Sequence, residues 1–160
     1  MNLGVTLIDS YTINNGVKEK PYLTETFHGN WRISYNISNI NLKFDYTGNI
    51  IGSMLLPLLN SNDPRPQYSP TYSIQNIQIT KSLINKYEFY IGLKNILNFT
   101  PDARSISRSF DPFDKKVVYD SNGKIEVNSE NPYGLSFDTS YVYASNQGIR
   151  FFAGLRINLN

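Results

Sequence analysis

The last segment of the chain alternates between apolar and small or polar residues, and this alternation constrains the fold more than any other feature. In Gly148–Asn160, GIRFFAGLRINLN, the odd positions from Ile149 to Leu159 are all apolar, and the even positions are nearly all small or polar. Successive side chains of a β-strand point to opposite faces of the sheet. A period of two therefore predicts a strand with one apolar face and one polar face.

The same period recurs along the chain, whereas helical periodicity is hard to find. Further strands are predicted at Leu3–Ile13, Phe27–Ile37, from Leu42 through Gly48 and Gly52, at Thr71–Leu83 and at Tyr87–Phe99. The apolar parity shifts between Ile74 and Ile77, which predicts a bulge near Gln75. Turns are expected at Asn15-Gly16 and at Asn122-Gly123. The predicted fold is all-β, an antiparallel meander of about six long strands.

The connections between these strands alternate in length. Ser38–Asn41 and Ile84–Lys86 are short, whereas the other connections run to roughly ten residues or more and contain most of the prolines. Short turns at one end of a sheet and long loops at the other are typical of transmembrane β-barrels. Several strands also reach the nine to eleven or so residues that a tilted strand needs to cross a bilayer.

The composition excludes several classes of function. The net charge is +2 with cations scattered among acids, so no basic patch indicates a nucleic-acid partner. The chain has no cysteine and one histidine, His28, and it contains no phosphate-binding glycine loop or hydrolase triad. Asp111 and Asp114 flank a proline and fit turn formers better than cation ligands. We therefore expect no enzymatic activity, no catalytic or metal-binding residue and no cofactor.

The charged residues of the strands predict which face of the sheet meets lipid and which face meets water. The polar parity carries Arg32, Lys43, Asp45, Glu88, Lys94, Arg150 and Arg156. An Arg facing lipid at mid-depth costs about 2–4 kcal/mol, so this parity is expected to face the lumen of a barrel. Residues expected to face the lumen are Arg32, Lys94, Arg150 and Arg156; residues expected to face lipid are Trp31, Ile33, Phe89, Ile91, Leu93, Phe151 and Leu155.

A soluble alternative reverses these faces. A lipocalin-like barrel would bury the apolar parity and bind a small apolar ligand inside, and Gly29–Trp31 matches the short G-x-W pattern of lipocalins. That pattern fixes only two letters. A lipocalin would also need eight strands with tight turns and a late helix, whereas this chain offers six strands and a long proline-containing segment between about Thr100 and Asn146.

Several segments, taken in order, resemble the C-terminal end of TonB-dependent outer-membrane receptors of the Bacteroidetes type. They include NDPRPQYSP, GLKNILNFTP at Gly92–Pro101, FDPFDKKV, and SYVYASNQGIR at Ser140–Arg150, and the resemblance extends from about Leu3 to Leu159. It implies a 22-stranded barrel in the bacterial outer membrane that surrounds a plug and is energised through TonB. Such receptors import iron–siderophore complexes, cobalamin or glycans.

On this interpretation residues 1–160 are the C-terminal part of the barrel, and the plug, the TonB box and the signal peptide are absent. We then expect a fragment whose sheet is open at both edges and needs detergent, because open edges template aggregation. The partners implied are outer-membrane lipid, the barrel-assembly machinery, an imported ligand of unknown identity, and TonB only through the missing plug. Gly154, Ile157 and Leu159 fit the spacing of the barrel-assembly signal, although Asn160 follows where the family usually ends on an apolar residue.

Overall fold

The computed structural model describes residues 1–58, 65–83, 86–101, 118–132, 134, 142–145 and 147–157. Within these residues the chain forms eight strands and one 3-10 turn at Ser38–Ile40. The strands are β1 (Asn2–Leu7), β2 (Thr12–Asn14), β3 (Val17–Glu19), β4 (Phe27–Ile37), β5 (Leu42–Ile51), β6 (Tyr72–Leu83), β7 (Tyr87–Lys94) and β8 (Arg150–Ile157).

Six of the described strands form one antiparallel sheet in the order β1-β4-β5-β6-β7-β8. Each strand pairs with its neighbours along the chain, except that the β2–β3 hairpin is inserted between β1 and β4. The prediction of an all-β antiparallel meander is therefore confirmed. In the described part of the chain β1 and β8 pair on one side only and form the two edges of the sheet.

The pairing keeps the faces of all six strands in step. A single row across the sheet runs from Ile33 to Tyr46, Ile77, Leu93 and Phe151. The neighbouring row runs from Ser34 to Asp45, Gln78, Gly92 and Phe152 on the opposite face. Since side chains alternate along each strand, one face of the sheet collects the apolar parity and the other collects the polar parity.

The first predicted strand is too long. Pairing with β4 ends at Leu7, and Thr12–Asn14 instead pairs with Val17–Glu19. Asn15 and Gly16 have φ of 49° and 83°, the left-handed values that a tight hairpin turn needs. The Asn-Gly turn thus pairs the residues that flank it, and the alternation through Ile13 belongs to a separate small hairpin.

The predicted bulge near Gln75 is wrong. The register between β5 and β6 is unbroken from Leu42↔Lys81 to Ile51↔Tyr72. Ile74 therefore lies on the polar face of the sheet, where it packs with Ile51 against a small cluster centred on Leu56. The parity shift in the sequence is therefore due to apolar residues that lie on the polar face at one end of the sheet.

Strand β7 ends at Lys94, earlier than the alternation through Phe99 predicts. Asn95 and Asn98 both have a φ of 53°, which is incompatible with a continuing strand. The Asn95 side chain donates from Nδ2 to the carbonyls of Phe99 (2.7 Å) and Gln147 (3.0 Å), and its Oδ1 accepts from the Phe99 amide (3.0 Å). Asn95 thereby holds the end of β7 beside the residues that lead into β8.

We predict that Asn95→Ala lowers the free energy of unfolding by about 2–3 kcal/mol, because Asn95 is only 4% exposed and its loss leaves several backbone groups without partners. Urea unfolding followed by the fluorescence of Trp31, the single tryptophan, measures this. Asn36→Ala, an exposed residue on the polar face of β4, is the matched control and should change stability little. Equal losses for the two variants would contradict the assigned role.

Candidate functional site

One face of the sheet, the apolar face, presents large hydrophobic side chains to the exterior. Phe151 is 69% exposed, Ile91 50% and Leu155 49%. By the strand register all seven residues predicted to face lipid lie on this face: Trp31, Ile33, Phe89, Ile91, Leu93, Phe151 and Leu155. Leu3, Val5 and Leu7 of β1 extend it, and all three are exposed.

The buried core of the described residues does not lie beneath the apolar face. It consists of Met54, Leu56 and Tyr72, and Leu56 is 1% exposed. Tyr72 stacks on Phe99 with ring centroids 4.5 Å apart, and Tyr72 belongs to the polar parity of β6. Among the described elements, strands make substantial contacts only with their sheet neighbours, so no second layer covers the apolar face in this part of the chain.

The polar side chains on the apolar face bond to one another. Tyr46 donates its hydroxyl to Gln75 Oε1 (2.7 Å), Gln75 Nε2 donates to Ser73 Oγ (3.2 Å), and Ser73 Oγ donates to the Asn49 carbonyl (2.6 Å). These three residues share the parity of Ile77. A chain of internal hydrogen bonds is the arrangement that polar groups need when water does not reach them.

Lys81 is the one Lys, Arg, Asp or Glu residue that the register places on the apolar face of the six described strands. It lies two residues before the end of β6 at Leu83, beside a short turn, and its Nζ donates to the Ile40 carbonyl. A long cationic side chain at the end of an apolar strand can reach the polar boundary while its methylene groups stay on the apolar surface. The sequence analysis did not assign this residue to a face.

Trp31 lies flat across the neighbouring strand of the apolar face. It is paired with Gly48, and a side-chain carbon at Gly48 would collide with the Trp31 ring. The ring also approaches Tyr46, with centroids 6.1 Å apart, and its Nε1 is buried with no acceptor among the described residues. Pairing is unbroken on both sides of Gly48, and this glycine makes room for an aromatic ring.

The opposite face, the polar face, carries the remaining strand charges. They are Arg32, Lys43, Asp45, Glu88, Lys94, Arg150 and Arg156, which include all four residues predicted to face the lumen. Asp45 accepts from Arg32 Nη2 (3.4 Å) and Lys43 Nζ (3.0 Å) and also from the Ser34 hydroxyl. Glu88 is paired with Arg156. Both acids of these strands are thus neutralised by cations of the same face.

Two aromatic rings lie between two cations in a row along β7 and β8 on the polar face. The Arg156 guanidinium lies 6.0 Å from the Tyr90 ring centroid, the Tyr90 and Phe152 centroids are 6.2 Å apart, and Lys94 Nζ lies 5.5 Å from the Phe152 centroid. Each ring packs over a cross-strand glycine, Tyr90 over Gly154 and Phe152 over Gly92. The row orders long side chains that would otherwise be mobile on an open surface.

Other residues singled out in the sequence fall in different places. His28 Nδ1 lies 3.3 Å from Glu25 Oε1 on the polar face, and the described residues contain no group of three side chains suited to a metal ion. Within the proposed assembly signal, Gly154 faces the Tyr90 ring and Ile157 belongs to the apolar face. Leu159, Asp111 and Asp114 lie outside the described residues. The assembly signal stays a prediction.

The sequence analysis did not predict two features of the surface. The first is a set of asparagine connections at the end of β7: the Asn95 backbone N–H donates to Asn76 Oδ1 of β6 (3.1 Å), and the Ile149 backbone N–H, just before β8, donates to Asn98 Oδ1 (3.0 Å). The spacing of Asn95 and Asn98 in KNILNF was a usable signal, since asparagine tolerates left-handed backbone. The Trp31–Gly48 pair had no local signal, because it depends on the register between two strands.

Comparison with protein-family models, with curated protein sequences and with solved structures finds no match to this chain. None of the helical structure in the described residues is long and apolar enough to cross a membrane.

We predict that Gly48→Ala displaces the Trp31 ring, shifts its fluorescence and lowers the free energy of unfolding by about 1–3 kcal/mol, because the added carbon overlaps the ring. The control is a double-mutant cycle with Trp31→Leu, in which the second substitution removes the collision; urea unfolding of all four proteins is followed by circular dichroism, because Trp31→Leu removes the single tryptophan. The cost of Gly48→Ala should largely disappear in the Trp31→Leu background. An unchanged cost there would show that backbone strain, rather than the ring, disfavours alanine.

Proposed function

We propose that this chain forms part of the wall of an outer-membrane β-barrel, with the apolar face in contact with lipid. The observation that carries the proposal is the apolar face itself. Six strands about 4.8 Å apart, five of them eight or more residues long, give a surface of roughly 24 by 26 Å. Soluble monomers rarely expose a continuous apolar patch larger than about 300–600 Å².

The dimensions of the sheet support contact with a bilayer. Strands β4, β5 and β6 contain 11, 10 and 12 residues. A tilted strand crosses the hydrocarbon core with about 9–11 residues, and the apolar band of outer-membrane barrels is about 25 Å tall. The internal hydrogen bonds of Tyr46, Gln75 and Ser73 and the position of Lys81 beside a short turn fit the same environment.

The two edges of the sheet support a barrel rather than an isolated sheet. Because six strands alternate in direction, the edge strands β1 and β8 run antiparallel to each other. Their outer backbone groups need partners in hydrocarbon, since only closed barrels leave no strand edge there. Further antiparallel strands, added at either edge, would continue the same face pattern around a barrel.

Within this class, the sequence resemblance favours a segment of a TonB-dependent receptor. The chain would then supply strands near the C-terminal end of a 22-stranded barrel that imports an iron–siderophore complex, cobalamin or a glycan. The polar face would line the lumen, and Gly154, Ile157 and Leu159 would contribute to recognition by the assembly machinery. The meander order, the short turn at Ser38–Asn41 and the polar parity of Arg32, Lys94, Arg150 and Arg156 agree with that placement.

We predict unequal effects of a cation placed on the two faces of β4. Ile33→Arg puts a charge on the apolar face and should weaken folding into lipid vesicles by about 2–4 kcal/mol, whereas the adjacent Ser34→Arg should cost much less because it lies on the polar face beside Asp45. Urea titration of the vesicle-inserted chain measures both.

The comparison of the two β4 variants also separates the two orientations of the sheet. If Ser34→Arg prevents insertion and Ile33→Arg does not, the polar face meets lipid and the proposal is wrong. If both variants fold equally well in buffer without lipid or detergent, the apolar face has another cover and the membrane assignment fails.

A further inference from the structure

The polar face contains a pair of directly opposed cations that no acid of the described residues balances. Lys94 and Arg150 are cross-strand partners in the β7–β8 register. Directly paired side chains have Cβ atoms about 4.5–5.5 Å apart, and like charges at that separation destabilise a sheet. No carboxylate of the described residues pairs with either one; Lys94 instead contacts the Phe152 ring.

A cavity of about 270 Å³ opens on the polar face beside Lys94, one member of this pair. Its lining includes Arg32, Asp45, Thr47, Asn76, Lys94 and Phe152. Arg32 pairs with Thr47, and Thr47 pairs with Asn76, so three of these residues form one row across the sheet. The cavity thus lies between a guanidinium on β4 and an ammonium on β7.

The groups around the cavity offer hydrogen bonds mainly to an acceptor. Thr47 Oγ1 already accepts from Asn76 Nδ2 (3.4 Å), which leaves its hydroxyl hydrogen to donate. Arg32 uses one of its five N–H groups on Asp45. The one acid in the lining, Asp45, is occupied by Arg32, Lys43 and Ser34, so its charge is balanced within the sheet.

We propose that this cavity binds a small multivalent oxyanion, with carboxylate or phosphate groups, through Arg32 and Lys94. An oxyanion placed there would form charge-assisted hydrogen bonds with these two side chains and would reduce the repulsion between Lys94 and its neighbour Arg150. Two separated cationic points, on β4 and on β7, favour a ligand with more than one anionic group. The proposal does not depend on what covers the apolar face.

The test is calorimetric titration of the full chain with citrate in one arm and inorganic phosphate in the other. Citrate or phosphate binding should weaken about tenfold or more in Arg32→Gln and in Lys94→Gln, because each loses a hydrogen bond to a charged group. The two arms decide whether the site prefers carboxylates or phosphate. Each titration is run both in detergent micelles and in detergent-free buffer. If the chain proves not to need detergent, the proposed function is wrong, but the titration still tests the anion site.

Arg156→Gln is the matched control. It removes the same charge from the same face of the sheet, but Arg156 is paired with Glu88, which lies six residues, about 20 Å, from Lys94 along β7. That distance exceeds the screening length of about 8 Å at physiological salt, so anion affinity should change less than about twofold. Equal weakening by Arg156→Gln and Lys94→Gln would mean a diffuse charge effect and would overturn the site.

A second measurement, of stability against urea, tests the proposal even if the variants bind no anion. Without added anion and at low salt, Arg150→Gln should raise the urea midpoint of the chain, because it relieves the repulsion from Lys94. Saturating citrate should stabilise the unmodified chain more than this variant. A lower midpoint for Arg150→Gln, or identical stabilisation of the two proteins by citrate and by phosphate, would contradict the proposal.

Discussion

Unbroken antiparallel pairing across six strands is the constraint on which the other features of the surface depend. From β4 to β8 every strand keeps its side-chain parity in step with its neighbour, so a slip of one residue at any junction would mix the two faces. Glycines at tight positions protect this register: Gly48 admits the Trp31 ring, and Gly92 admits the Phe152 ring. The result is one apolar surface and one charged surface on a single layer of protein.

The two surfaces impose different requirements. The apolar face needs an apolar cover, because burial of a side chain such as Phe151 or Leu155 contributes roughly 1.5–3 kcal/mol that an exposed sheet does not gain. The polar face balances part of its charge through the pairs of Asp45 and Glu88, whereas Lys94 and Arg150 have no carboxylate partner among the described residues. A lipid-covered outer face and a solvated inner face satisfy both requirements at once.

The sequence predicted the strands that repeat the period of two most strictly, and it missed what depends on contacts between distant residues. The bounds of β4 and the assignment of most strand residues to one face or the other followed from alternation alone. The early end of β1, the missing bulge near Gln75 and the end of β7 did not, because the Asn15-Gly16 turn, the cluster around Leu56 and the Asn95 hydrogen bonds each override local parity. The opposed Lys94 and Arg150 required the β7–β8 register, since 55 residues separate Lys94 from Arg150 in the chain.

Site-directed spin labelling along β7 tests lipid contact most directly, and the absence of cysteine from the chain makes single-cysteine variants unambiguous. Nitroxide labels at Phe89, Tyr90 and Ile91 in vesicle-inserted protein are compared for access to oxygen, which concentrates in lipid, and to a water-soluble nickel chelate. The account predicts that oxygen access dominates at Phe89 and Ile91 and nickel access at Tyr90. Nickel access at Phe89 and Ile91, or equal access at all three positions, would show that the apolar face does not meet lipid.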